Sequence, residues 1–222
     1  MPKSSSKTKK ASWKKAALTL GAIGIIAGSL TVAKRVIDPT EKVIEVIDGD
    51  TFKISNTETI RLFNTDAPEL GRCFSEEAKT ALTKKILGKR VILKSPKTDY
   101  YRRVQAYVYV DGEFVNEYMT KNGFALDRGS GGEESDRVVA SGNFAKENKI
   151  GIYSEECSPS VPTKKGCVIK AQIPYDNGQK IYLVPGCKNY TQAVVEKFRG
   201  EDWYCSEKEA KEAGYTKSEF CP

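Results

Sequence analysis

With 222 residues, 39% of them hydrophobic and 29% charged, the chain has a globular composition and room for one medium domain plus something small. The formal charge of +7 invites a nucleic-acid reading, but residues 1–35 hold eight bases and no acid, and the remainder carries 28 bases against 29 acids. Global charge is therefore no evidence for such a partner. The absence of histidine excludes His-based acyl-transfer triads, imidazole-dependent hydrolysis and His-ligated zinc or haem, leaving carboxylates, Arg, Lys, Tyr and Cys for any chemistry.

In chain order, residues 1–35 read as a signal peptide or an N-terminal membrane anchor. A Lys-rich stretch over 3–15 precedes the uncharged run Ala16–Ala33, which stops at Lys34-Arg35. As a helix this run reaches about 27 Å, enough to span a bilayer core, although Gly21, Gly24 and Gly28 weaken it. Thr31-Val32-Ala33 offers small residues for cleavage, whereas the positive charge before the run would hold the N-terminus inside. Either fate exports the rest, to be secreted or anchored on the outer face of the membrane. Six cysteines, none in a C-x-x-C pair, agree with an oxidising compartment. Spacing alone leaves their connectivity open. The module boundaries suggest one bridge between Cys73 and Cys157 and two among Cys167, Cys187, Cys205 and Cys221.

Lys42–Ile47, Thr51–Ile54 and Thr59–Leu62 read as three short strands separated by a Gly turn and Ser55-Asn56. From Phe74 the apolar positions Ala78, Leu82 and Ile86 recur every fourth residue, with Glu76 and Glu77 early and Lys84 and Lys85 late, which predicts a helix ending at Gly88. Arg90–Leu93 and the alternating Val104–Val110 predict two more strands, and 114–122 and 135–149 two more helices. Five short strands interrupted by a helix suit an OB-type barrel in an α+β fold with three helices.

Asp48, Asp50, Asp66 and Glu69 fall at strand junctions, together with Arg61. Two Asp side chains with a backbone carbonyl and water are hard oxygen ligands that suit calcium. Glu69 could take a proton from a water, and the planar forks of Arg61 and Arg103 match phosphate oxygens. The segments V-I-D-G-D-T (46–51), R-L-F-N-T-D-A-P-E (61–69), D-Y-Y-R-R (99–103) and N-K-I-G-I-Y (148–153) together resemble the thermonuclease, or staphylococcal nuclease-like, family. The resemblance spans about half the chain and keeps the order and spacing of the motifs. It implies an OB-fold nuclease domain over 41–156, Ca²⁺ dependence and hydrolysis of phosphodiester bonds in DNA and/or RNA. It also implies metal ligation by Asp50, Asp66 and the backbone carbonyl of Ala67, with Glu69 as general base, Arg61 and Arg103 as phosphate-binding arginines, and Asp48 behind the metal waters.

Where the family's best-known member has tyrosines beside the nucleotide, this chain has Gly129, Gly131 and Gly132. Lys84, Lys85, Lys89, Arg90, Lys94 and Lys97 remain as a basic substrate path, although residues 41–156 hold 18 bases against 20 acids. Tyr100, Tyr107 and Tyr109 are expected to pack on the sheet. Residues 165–222 read as a small Cys-containing accessory module after the linker 158–162, with a hairpin at Asp176-Asn177-Gly178 and a capping box at Ser206 opening a helix that Gly214 ends. This segment resembles a module appended to bacterial nucleases and envelope proteins, and disulfides are expected to hold it. The expected activity is an exported phosphodiesterase acting as endonuclease or exonuclease, with no obligate protein partner and membrane contact only through an uncleaved leader. The competing class is a non-catalytic OB-type nucleic-acid-binding module at the cell surface.

Overall fold

The computed structural model describes residues 40–129 and 131–222, so the leader expected over 1–35 lies outside the described residues. Among the described residues no helix is long and apolar enough to cross a membrane. Strands β1 (Glu41–Val46), β2 (Thr51–Ile54) and β3 (Thr59–Leu62) form an antiparallel meander, followed by the two-residue β4 (Thr65–Asp66) and helix α1 (Ser75–Ile86). β5 (Arg90–Thr98) then pairs with β1, and β6 (Val104–Val110) with β5. A parallel pairing of β6 with β3 closes these five strands into the expected OB-type barrel. After β7 (Glu113–Phe114) come α2 (Val115–Lys121), β8 (Leu126–Asp127) and α3 (Ser135–Glu147), which complete the three helices of the α+β fold.

The strand expected over Arg90–Leu93 runs on to Thr98. A bulge between Lys94 and Lys97, with Ser95 at φ 51°, bends it around the barrel so that Lys97 and Thr98 pair again with Gln105 and Val104. β6 also departs from simple alternation. Val104, Ala106, Val108 and Val110 face the barrel core as expected, and Tyr107 on the opposite face is equally buried because Phe114 and Val138 of α3 cover it. Tyr109 stacks on Phe114. Tyr100 corrects the expectation of sheet packing: it is 94% exposed on the β5–β6 turn, in edge contact with Tyr101. That turn carries it beyond the last barrel pair, where no facing strand can cover it.

The C-terminal segment builds a second sheet from β9 (Ile169–Gln172), β10 (Ile181–Leu183), β11 (Asp202–Tyr204) and β12 (Thr216–Lys217), with helix α4 (Glu207–Glu212) packed on it. Its small core is Ile169, Ala171, Tyr182, Ala210 and Tyr215. The Ser206 side chain accepts from Glu209 N at 3.2 Å, Glu209 Oε2 accepts from Cys205 N at 2.8 Å, and Gly214 at φ 86° stops the chain after α4. Cys167–Cys205 and Cys187–Cys221 staple this sheet, and Cys73–Cys157 joins the start of α1 to the end of the barrel region. All six cysteines are therefore paired as the module boundaries suggest.

The described residues form one compact unit. Phe198 packs with Leu126, Ile152 and Cys157 in one apolar cluster, against which Cys73, Phe74 and Tyr153 also lie, and Lys197 N donates to Cys157 O at 2.8 Å. The Cys73–Cys157 bond spans 84 residues, a loop whose closure in the unfolded chain is worth about 4 kcal/mol in the chain-entropy account. Replacing both cysteines by serine should lower the unfolding free energy by about that amount, measured by guanidinium titration under oxidising conditions. An unchanged midpoint would show that the bridge constrains nothing.

Candidate active site

The turn from β1 to β2 places Asp48, Gly49 and Asp50 against the start of α1. Gly49 is dictated by space, since a Cβ there would stand 2.6 Å from the Cβ atoms of both Ala67 and Ala78. This close approach brings Asp50, only 1% exposed, under the chain that leaves β4. Asp50 Oδ2 accepts from Ala67 N at 2.7 Å, and Oδ1 accepts from Thr51 Oγ1 at 2.7 Å and from the Arg61 guanidinium. Asp48 Oδ1 accepts from Asp50 N at 3.0 Å and so shapes the turn. Burial pushes the Asp50 carboxyl up to about 7; Arg61 opposes the rise, Asp48 adds to it, and the donors Ala67 N and Thr51 Oγ1 draw it back.

Arg61 sits on β3 between two neighbours, opposite Thr51 of β2 and Gln105 of β6. Its Nη1 meets Asp50 and its Nη2 meets Asp66, so one guanidinium bridges the two carboxylates. Asp66 is fixed by the pairing of β4 with β8, Asp66 opposite Leu126, and its Oδ2 lies 3.1 Å from Arg128 Nε. The approach to β4 is held from below by Asn116 of α2. Fully buried, Asn116 accepts from Val108 N at 2.9 Å and donates to Phe63 O at 2.8 Å and Thr65 Oγ1 at 3.3 Å. Glu69 follows on an exposed loop and shares a cavity of about 190 Å³ with Asp66, Ala67 and Pro68.

Arg103 lies just before β6, two positions ahead of Gln105, Arg61's cross-strand partner. Its Nε is 2.9 Å from Asp99 Oδ2, and its guanidinium lies 5.3 Å from the Tyr101 ring. Asp50, Asp66, Arg61 and the Ala67 backbone thus converge, Glu69 borders them, and Arg103 is held on the neighbouring turn by Asp99. The proposed basic path is largely paired: Lys85 with Glu113, Lys89 with Asp111 at 2.8 Å, and Lys94 with Glu134 at 2.6 Å, while Arg90 donates to Thr40 O at 2.8 Å. Sequence patterning singles out neither Arg128 nor Asn116. The one available signal is that Asn116 and Thr120 are polar residues four apart among buried positions of α2.

The donor set fits a hard divalent cation. Two carboxylates gathered about a single guanidinium are oxygen donors in a place that demands positive charge, with neither thiolate nor imidazole beside them. Among the described residues no group of three or more Cys, Asp and Glu side chains is gathered for a metal ion, here or elsewhere, so a cation at this place would draw on two carboxylates, a backbone carbonyl and water. Gly49→Ala should destabilise the protein by about 1–3 kcal/mol, since the backbone of the turn must retreat from Ala67 and Ala78. Urea unfolding measures the loss, and an unshifted midpoint would show that the turn has room to spare.

Residues 59–155 match the family described as staphylococcal nuclease homologue. An uncharacterized endonuclease of Haemophilus influenzae is 33% identical over 90 residues, which cover 39% of this chain and 51% of the relative. A probable staphylococcal-like nuclease of Oryza sativa subsp. japonica is 42% identical over 66 residues, 30% of this chain and 20% of the relative. An uncharacterized protein of Bacillus anthracis is 35% identical over 97 residues, 38% of this chain and 45% of the relative. The chain thus spans about half the length of the two bacterial relatives. The closed barrel and the motif order agree with this match of residues 59–155 to the staphylococcal nuclease family.

Proposed function

We propose that the protein is a calcium-dependent nuclease that hydrolyses phosphodiester bonds of DNA and/or RNA outside the cytoplasm. The observation that carries this reading is the convergence of Asp50 and Asp66 on Arg61, with Glu69 on the rim of the same cavity. Asp50, Asp66 and the Ala67 carbonyl would hold Ca²⁺, which when bound supplies positive charge beside the non-bridging phosphoryl oxygens. Glu69, exposed on its loop, takes the proton as the water oxygen bonds to phosphorus. The P–O ester bond opposite breaks, and the leaving oxygen is protonated from solvent. Arg61 and Arg103 present planar forks to the oxygens on which negative charge accumulates, and Arg61 must exchange a carboxylate contact for a phosphate one to do so. Export is supported by the three disulfides and by the basic and apolar pattern of residues 1–35.

Glu69→Gln should lower turnover about 10²-fold or more on single-stranded DNA in calcium while the thermal midpoint stays put, because no histidine exists to replace the base. Full activity in the folded variant would remove Glu69 from the mechanism. Asp50→Asn and Asp66→Asn should each weaken calcium binding by calorimetry about tenfold or more, and activity with it. Wild-type affinity in both variants would count against this ligand set, and nucleic-acid binding without cleavage in any divalent cation would favour a non-catalytic binding module.

A further inference from the structure

Arg128 takes no part in the scheme above, yet backbone pairing fixes it beside the site: Asp127 is paired with Thr65 and Leu126 with Asp66. Its Nε contacts Asp66 Oδ2 at 3.1 Å while 52% of the side chain remains exposed. This contact engages one donor of a fork that carries five N–H groups. Two depressions meet at Arg128. One, of about 260 Å³, is lined by Arg61, Asn64, Asp66, Gln105 and Arg128. The other, of about 190 Å³, lies between the Asp66–Arg72 loop and the C-terminal segment, with Glu69, Arg72, Arg128, Phe198 and Arg199 in its walls. Asp66 and Arg128 line both, so the two adjoin at that ion pair and are taken together as one groove.

The far wall is built by the C-terminal segment. Gly200, at φ 92°, lets the Arg72 guanidinium lie flat against the backbone, where a Cβ would stand 2.2 Å from Nη1. Arg199 is committed to its own segment: it contacts Glu196 at 3.3 Å and Glu201 at 3.4 Å and lies 3.5 Å over the Tyr175 ring. Leu126 and Phe198 give the groove an apolar side continuous with the cluster around Cys157. Two exposed arginines, Arg72 and Arg128, beside an apolar wall suit a ligand with an anionic backbone and a less polar body.

We propose that this groove is a phosphodiester subsite adjoining the bond that is cut, in which Arg128 and Arg72 grip the nucleic-acid backbone against a wall supplied by the C-terminal segment. The proposal rests on the nuclease reading for the identity of the ligand. It assigns the C-terminal segment a place in substrate binding and explains how a domain with balanced charge holds a polyanion.

The test is equilibrium binding of a fluorescently labelled single-stranded oligonucleotide of about 12 nucleotides to the full, oxidised chain in excess chelator. Anisotropy is read from about 50 to 200 mM salt, and cleavage in calcium is measured in parallel. Arg128→Ala and Arg72→Ala should each weaken binding about fivefold or more and flatten the salt slope by about 0.7, the loss of one backbone contact. Lys208→Ala, on α4 and outside the groove, should change neither. Because Asp66 pairs with Arg61 and Arg128 and not with Arg72, the Arg72 variant separates phosphate binding from any disturbance of the carboxylate. Unchanged affinity and slope in both arginine variants, in a protein that still cleaves, would overturn the subsite and leave the nuclease reading intact. An equal loss in Lys208→Ala would overturn it too. Weakened binding in a protein that cleaves nothing would uphold the groove and sink the hydrolysis.

Discussion

Burying the Asp50 carboxylate strips it of water, and only fixed donors can replace what is lost. Three elements supply them: Ala67 N beyond β4, Thr51 within β2 and Arg61 on β3. Each donor is in place only because its own element is, so the barrel, the β4–β8 pair and the Asn116 hydrogen bonds all converge on one side chain. The arrangement does not satisfy the charge fully, for the Asp50 carboxyl still stands near 7 against 3.8 in the unfolded chain. Between those values the native state keeps a proton that the unfolded state has released, so this group costs stability as pH rises through about 4 to 7. A second cation at the carboxylates would relieve that cost, which is the physical ground for the proposed metal site.

Barrel strands are legible in the sequence because each is a short alternating run closed by Gly, Ser-Asn or Asp turns. Thr51–Ile54 and Thr59–Leu62 coincide with the observed strands. Asp50, Asp66 and Arg61 are legible as residues because strand ends in a small barrel converge, and their roles come from the resemblance rather than from spacing. Arg128 is not legible. Its position depends on a pair of two-residue strands, β4 and β8, far too short to leave a periodic trace. The pairing of Lys85, Lys89 and Lys94 is hidden for a similar reason: their acidic partners Glu113, Asp111 and Glu134 lie 22 to 40 residues away along the chain. Tyr100 misleads because a run of tyrosines looks like sheet packing until the turn that lifts it out of the sheet is known.

Charge in this molecule is organised locally. Lys85, Lys89 and Lys94 on the barrel surface are matched by acids, whereas Arg61, Arg72 and Arg128 line the cavities that Asp66 borders. Arginine suits such a place, because its planar fork can move between carboxylate and phosphate partners without changing protonation. The C-terminal segment takes part in this organisation through Phe198 and Gly200, although it has a sheet, a core cluster and two staples of its own.

The parallel contact between β3 and β6 has a consequence for the order of assembly. Arg61 and its partner Gln105 are separated by 44 positions, whereas β1, β2 and β3 pair with immediate neighbours along the chain. Contacts between distant segments pay loop-closure entropy before they gain anything, so they form late. During synthesis the meander bearing Asp50 and Arg61 emerges well before the strand that seals it. Until residues 104–106 leave the ribosome the barrel stays open and β3 has a bare edge beside Arg61. The site is thus among the last parts of the barrel to be completed.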